Sequence, residues 1–232
     1  MRLTVILPFF NEAALLPSLP DLFARVRSAL AGHDVRLLAV DDGSTDGTGD
    51  GLARIEGLDV VRHPGNRGVG AAMATGITEA TGEAAVVFDP DEAYAPEVLP
   101  RLVDALRDAD VATASPYHPE GGVEGVGAFR LLLSQAASIL YRLRTRAPLR
   151  TFTCAVRAYR LPAARGLLPA PGDFTAAAYL LAKALAMRLR VVEVPARLRV
   201  RRAGTSKMRL FRTARAHLRL LRDLPMTPPG SQ

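Results

Sequence analysis

Val86-Val87-Phe88-Asp89-Pro90-Asp91 is an apolar run that ends in two carboxylates one residue apart. Residues two apart in an extended chain point to the same side. Asp89 and Asp91 can therefore aim at one point just past the end of a buried strand. Two hard anionic oxygens at one point suit Mg²⁺ or Mn²⁺, with a phosphate as a further ligand. Taken alone, the same residues also read as a strand followed by a solvated aspartate turn. The rest of the chain decides between the two.

Upstream, the same grammar repeats. Residues 3–7 (LTVIL) are β-rich and apolar without alternation, the pattern of a strand buried on both faces. They end at Pro8-Phe9-Phe10-Asn11-Glu12, and a helical pattern follows over about residues 13–30. Residues 37–40 form a second such run, closed by the polar turn Asp41-Asp42-Gly43-Ser44-Thr45-Asp46-Gly47-Thr48. Residues 60–62 are a third strand candidate, residues 66–80 open and continue a helix, and residues 84–88 are the fourth strand. Strand, short loop and helix in repetition predict an α/β protein with a mostly parallel sheet and helices on both faces. Ligands of such sheets sit beyond the carboxyl ends of the strands, so the loops after Leu7, Val40 and Phe88 converge on one crevice. A Gly-x-Gly-x-x-Gly turn after the first strand and a Gly-Lys-Ser/Thr phosphate loop are both missing, which argues against the common dinucleotide and P-loop sites.

The 232 residues suffice for one large domain, or one with an appendage, and 49% hydrophobic with 23% charged content is that of a globular protein. Cys154 is the single cysteine, so no internal disulfide forms and a reducing, cytosolic setting is expected. The N-terminus is too polar for a signal peptide, and no run of 18 apolar residues predicts a spanning helix. The net charge of +7 conceals an asymmetry: residues 1–128 hold 9 Lys+Arg and 20 Asp+Glu, whereas residues 129–232 hold 21 and 3. The basic part is suited to nucleic acid, a phosphorylated substrate or an acidic membrane surface. Nucleic acid is disfavoured, because the 6% aromatic content comes with no helix-turn-helix, zinc-ligand or RNA-binding pattern. Residues 127–146 form an amphipathic helix pattern with Arg130, Arg142, Arg144 and Arg146. Residues 208–224 form another, with Phe211, Ala214, Leu218, Leu221 and Leu224 on one stripe and arginines largely off it. Each reads equally as a core-covering helix or as a helix lying on an anionic membrane.

Pro8-Phe9-Phe10-Asn11-Glu12, the 41–48 turn, Asn66-Arg67-Gly68, Phe88-Asp89-Pro90-Asp91, Val192-Glu193-Val194-Pro195 and Arg201-Arg202-Ala203-Gly204-Thr205-Ser206-Lys207 together resemble, in order and spacing, the family 2 glycosyltransferases. The subgroup they look most like is the dolichyl/polyprenyl-phosphate mannose synthases. The resemblance implies a GT-A fold over residues 1–207, with 1–112 as the nucleotide-binding half and 113–207 as the acceptor-side half, followed by a basic amphipathic helix and tail over 208–232. It implies that Asp89 and Asp91 hold Mg²⁺ or Mn²⁺ on the donor diphosphate, and that Pro8, Glu12, Asp41 and Asp89 bind the nucleotide. Arg201 and Lys207 would close over the diphosphate, with Arg130, Ser134 and Arg157 on the acceptor side. The reaction implied is inverting transfer from a GDP- or UDP-sugar to a polyprenyl phosphate, at the inner face of the cell membrane. A membrane-anchoring partner protein is left open.

Asp42, Ser44 and Asp46 read as turn and cap residues. Three positions depart from the subgroup pattern: Pro116 stands for an arginine, Thr151 for an acid, and Tyr179 near an expected glutamate. The alternatives are transfer to a sugar hydroxyl with Asp173 as base, a nucleotidyltransferase, or a non-catalytic nucleotide-sugar-binding module. The Gly-rich basic first loop expected of a nucleotidyltransferase is missing here.

Overall fold

The unalternating apolar runs become one sheet covered on both faces. The computed structural model describes residues 1–200 and 210–224, with backbone alone at Leu210 and Phe211. In chain order, β1 (Arg2–Phe9), α1 (Leu19–Ala29), β2 (Asp34–Asp41), α2 (Thr48–Leu52), β3 (Asp59–Arg62), α3 (Val69–Glu79) and β4 (Ala84–Val87) come first. They are followed by α4 (Leu99–Ala105), β5 (Val111–Ser115), β6 (Gly122–Val123), α5 (Ala128–Thr145), β7 (Arg157–Arg160), α6 (Leu161–Gly166) and α7 (Ala176–Ala186). Last come β8 (Val191–Pro195), β9 (Arg197–Leu198) and α8 (Leu210–Asp223).

Alternate residues of β1 face opposite sides, as the pleat requires. Leu3, Val5, Leu7 and Phe9 pack with Leu22, Phe23 and Val26 of α1 and Leu102 of α4. Ile6 faces the other layer, with Ala72, Met73 and Ile77 of α3 and Leu180 and Leu181 of α7. Each of the buried Val, Leu, Ile, Phe and Met side chains among these contributes about 1.5–3 kcal/mol relative to exposure. The helix predicted over residues 13–30 is broken: Ala13–Ser18 is a 3-10 segment and α1 begins only at Leu19. Pro17 and Pro20 supply no backbone N–H, so an α-helix cannot run through both.

The seven-stranded sheet has the order β3-β2-β1-β4-β7-β5-β8. All neighbours are parallel except β7, which runs antiparallel to β4 and to β5. Because β7 is reversed, the segment that precedes it, not the one that follows, reaches the carboxyl edge of β4. The register Val87↔Arg157 fixes this, placing residues 151–156 beside the loop that carries Asp89 and Asp91. The two predicted halves thus share one sheet. A separate parallel pair, β6 with β9, joins residues 122–123 to 197–198. Arg199 N donates to Ala93 O at 2.8 Å, tying that pair to the aspartate loop.

Helices α5 and α8 pack on each other. Tyr141 Oη and His217 Nδ1 lie 2.9 Å apart, and the Arg144 guanidinium donates to the carbonyls of Leu221 and Leu224. The packed side of α8 is His217, Leu220, Leu221 and Leu224; Leu218, expected on the same stripe, is exposed. Among the described residues, no helix is long and apolar enough to cross a membrane.

Candidate active site

A cavity of about 1110 Å³ opens at the carboxyl edge of the sheet. One wall comes from the loops after β1, β2 and β4 and from the start of α3: Pro8, Glu12, Asp42, Arg67, Asp89 and Asp91. The opposite wall comes from α5 and α8: Arg130, Ser134, Arg212 and His217. Thr151, Thr153, Cys154 and Asp173 complete the lining between them.

The first wall is built by carboxylates and hydroxyls that satisfy loop N–H groups. Asn11 holds a left-handed φ of 52°, a conformation its short polar side chain tolerates. Its amide N donates to Ser44 Oγ at 2.9 Å while its Oδ1 accepts from Thr45 N at 2.8 Å. Thr48 Oγ1 accepts from Glu12 N, and Asp46 Oδ2 from Ala13 N, so the loop after β1 is stitched to the loop after β2. Hydrogen bonds that outweigh burial hold the Asp46 carboxyl below its ordinary pKa; the bond from Thr48 is the largest of them. Asp42 is buried and accepts from Arg67 N at 2.9 Å, Gly68 N at 2.7 Å and His63 Nδ1 at 2.7 Å. A carboxylate only accepts, so His63 carries its proton on Nδ1, leaving Nε2 to face Thr75 Oγ1 at 2.9 Å.

A helix N-terminus is a ready anion site, but that of α3 is already filled. Gly70 N and Ala71 N donate to Gly172 O, and a Cβ on Gly68 or Gly70 would collide with the carbonyls of Gly172 and Pro171. A diphosphate must therefore be met by other groups. Asp41 is also not placed as expected. It is fully buried, paired with Arg62 Nε at 3.1 Å and accepting from Ser44 N at 3.0 Å, so its carboxylate supports the turn from behind rather than lining the cavity.

Asp89 is half-buried and Asp91 buried, on either side of buried Pro90. Asp91 Oδ1 accepts from Ala93 N at 3.0 Å, which fixes the turn that aims the side chain. The chemistry of this pair fits a hard divalent cation. Among the described residues no group of three or more His, Cys, Asp or Glu could hold a metal, so the two carboxylates would share the ion with water and substrate phosphate oxygens. Mg²⁺ is commonly held in that way.

The second wall is neutral where it meets the sheet and cationic toward the helices. Ser115 and Thr151 hydroxyls lie 2.7 Å apart, and Ser134 and Thr153 hydroxyls 2.8 Å apart. Glu193 Oε1 accepts from both Arg150 N and Thr151 N, at 2.9 and 2.7 Å, and so pins the segment entering β7. Pro116 and Thr151 both line the cavity, so two of the three departures from the subgroup pattern sit at the same place. Tyr179 lies outside the lining, on α7. Burial pushes the Cys154 thiol up to about 11. It is protonated near neutral pH and is no nucleophile.

Arg157, expected on the acceptor side, is fully buried instead. Its guanidinium donates to Ala177 O at 2.8 Å and Cys154 O at 2.9 Å, a structural role in the core. Arg201 and Lys207 lie outside the described residues. Arg212 and His217 line the cavity without having been singled out. They belong to a helix whose pattern allowed only a core or a membrane reading. Glu193 was visible as part of a motif, but its hydrogen-bonding task was not.

A largely parallel sheet with a carboxylate pair at its switch edge, facing one substrate-sized cavity, defines the GT-A class of nucleotide-sugar-binding folds. The chain belongs to glycosyl transferase family 2, whose sequence profile matches residues 4–163. It is 33% identical over 224 residues to the undecaprenyl-phosphate mannosyltransferase of Micrococcus luteus, covering 90% of this chain and 88% of that protein. It is 34% identical to the polyprenol monophosphomannose synthase of Mycolicibacterium smegmatis, over 89% of this chain and 81% of that one. The dolichol-phosphate mannosyltransferase of Pyrococcus furiosus is 33% identical over 147 residues, which span 62% of this chain and 41% of that protein. In fold, the chain is similar to glucosyl-3-phosphoglycerate synthase from Mycobacterium tuberculosis, solved with Mn²⁺, UDP and glucosyl-3-phosphoglycerate. The TM-score is 0.71 at 22% identity, covering 97% of this chain and 81% of that one.

Proposed function

We propose that this protein transfers a sugar, with inversion, from a GDP- or UDP-sugar to a polyprenyl phosphate at a membrane surface. The observation that carries the reading is that a single cavity joins the Asp89/Asp91 pair to Arg130, Ser134 and Arg212 on α5 and α8. Asp89 and Asp91 would hold Mg²⁺ or Mn²⁺, which when bound neutralises the charge on the departing nucleoside diphosphate. Pro8, Glu12 and Arg67, which line the cavity, would contact the nucleotide, and Arg201 and Lys207 are proposed to meet its diphosphate. Arg130 and Arg212 would hold the acceptor phosphate, Arg through its planar fork, with the Ser134 hydroxyl as a further donor. An oxygen of that phosphate attacks the anomeric carbon as the bond to the diphosphate breaks. The attacking oxygen is already anionic, so no base is needed.

The membrane side of this reading rests on α5. Phe129, Leu132, Ile139 and Leu143 are each more than half exposed, and Leu140 is exposed as well. Arg142 and Arg146 flank them, and Arg212, Arg215, Arg219 and Arg222 of α8 are exposed nearby in the same helix pair. An apolar stripe bordered by arginines suits the interface of an anionic bilayer. The setting proposed is the cytoplasmic face, with or without a membrane-anchoring partner.

Thermal-shift screening of nucleotide sugars with and without Mn²⁺ identifies the donor, because a ligand of the native state raises Tm. Transfer to undecaprenyl phosphate in detergent then tests the acceptor. Metal-dependent stabilisation by one donor and a lipid-linked product are expected; failure of every donor to bind would overturn the proposal. Asp173, which lines the same cavity, favours a second reading in which it deprotonates a sugar hydroxyl. Glycosylation of a soluble sugar, lost in Asp173→Asn, would establish that reading instead.

A further inference from the structure

From Asp89 to Tyr94 every residue lines the cavity except Glu92. The chain turns over at that residue: Glu92 has φ 55°, left-handed for a residue with a Cβ. Its side chain is 8% exposed, and Glu92 Oε2 lies 2.5 Å from Arg25 Nη1 of α1. Arg25 Nη2 also approaches Glu97 Oε1 at 3.5 Å, further along the same loop. Non-glycine residues keep such a conformation only where surrounding contacts impose it.

We propose that Arg25 is a positioning residue: by clamping Glu92 in its left-handed turn, it holds Asp91 aimed at the metal–diphosphate site. The metal part of this statement rests on the proposed function. The geometry gives the clamp two effects. The turn at Glu92 presents Asp91 to the cavity and sets Ala93 N to donate to Asp91 Oδ1. The ion pair also draws a third carboxylate, adjacent in sequence to Asp91, to the far side of the loop. The sequence offered no sign of this pairing, since 67 residues separate the partners.

Glycine adopts φ near +55° unaided, so it separates the clamp from a general contribution of Arg25 to stability. Wild type, Arg25→Ala, Glu92→Gly and the double variant are compared by hydrogen exchange at Ala93 and Tyr94 without ligand. Mn²⁺ affinity is measured by calorimetry with GDP or UDP present. Arg25→Ala is expected to speed exchange at both amides about tenfold and to weaken Mn²⁺ binding about tenfold. In the Glu92→Gly background the same substitution should change either quantity less than twofold. Unchanged exchange in Arg25→Ala, or an equal effect in both backgrounds, overturns the clamp. If Arg25→Ala fails to fold, Arg25→Lys takes its place, with the same comparison. Should wild type bind no Mn²⁺ with either nucleotide, the metal reading fails, while the exchange data still decide the clamp.

Discussion

Around Asp42 and Asp46 the carboxylates are tied up mostly by backbone N–H groups of neighbouring loops, so the wall holding the aspartate pair is fixed before any ligand arrives. Across the cavity, Arg130 and Arg212 project from two helices that contact each other through Tyr141, His217 and Arg144. One wall places groups by a dense network between loops; the other places charge on a helix pair with an exposed apolar side. A preorganised wall suits a donor whose diphosphate must be met in one geometry. A helix pair suits an acceptor that arrives from a surface.

This contrast breaks most sharply at Asp91. Asp91→Ala is expected to abolish Mn²⁺-dependent nucleotide binding while far-UV circular dichroism stays unchanged; metal-dependent turnover in that variant would remove the donor assignment. Asp42→Ala should instead cost about 3 kcal/mol of stability, because it strands the buried His63 imidazole N–H and the part-buried loop N–H groups of Arg67 and Gly68. Urea unfolding measures it, and a near-neutral result would mean that the wall is not preorganised. On the opposite side, Leu132→Asp with Ile139→Asp should lower partition onto anionic vesicles at least tenfold at unchanged Tm, as apolar insertion is lost. Arg130→Ala should raise the KM for the lipid phosphate about tenfold and leave nucleotide affinity alone, the worth of one charge-assisted hydrogen bond.

The smallest effect concerns pH. Burial holds the His217 imidazole below its ordinary value, with Asp173 opposing and Tyr141 as its hydrogen-bond partner. The unfolded chain therefore takes up a proton near pH 6.5 that the native state resists, so stability falls as pH drops below about 6.5. His217→Asn should flatten that slope in urea midpoints measured between pH 7.5 and 5.5, with the first wall unaffected.

The parallel core of the fold was legible because apolar runs and polar turns are local signals. Residues 3–7, 37–40 and 60–62 fall in strands, and 84–88 runs one residue past the end of β4. Asp89 and Asp91 were singled out on a spacing of two in an extended chain, and both line the cavity. Pro90 and Asp91 lie in a turn past the end of β4, however, so the turn and not a strand pleat sets their direction. The misreadings share a cause: a side chain's destination depends on distant partners. Arg157 carries a motif arginine, yet carbonyls of Cys154 and Ala177 take it into the core. Asp41 stands at a strand end like Asp89, yet Arg62 on the neighbouring strand covers it. The reversal of β7 had no local signature at all, because strand direction is set by pairing rather than by composition.

That reversal has a consequence for which part of the chain can change independently of the rest. The chain leaves the sheet after Ser115 and re-enters at Arg157 on the adjacent strand, with Ala114 N bonded to Val156 O at 3.1 Å. Residues 116–155 are therefore an excursion whose two ends already meet, and lengthening or replacing such an excursion carries little closure penalty. It holds α5 and the departures at Pro116 and Thr151, and none of β1 through β4. Changes confined to this insert would reach Arg130 and Ser134 of the proposed acceptor side but not Arg212, and would leave the strands that present the aspartate pair untouched.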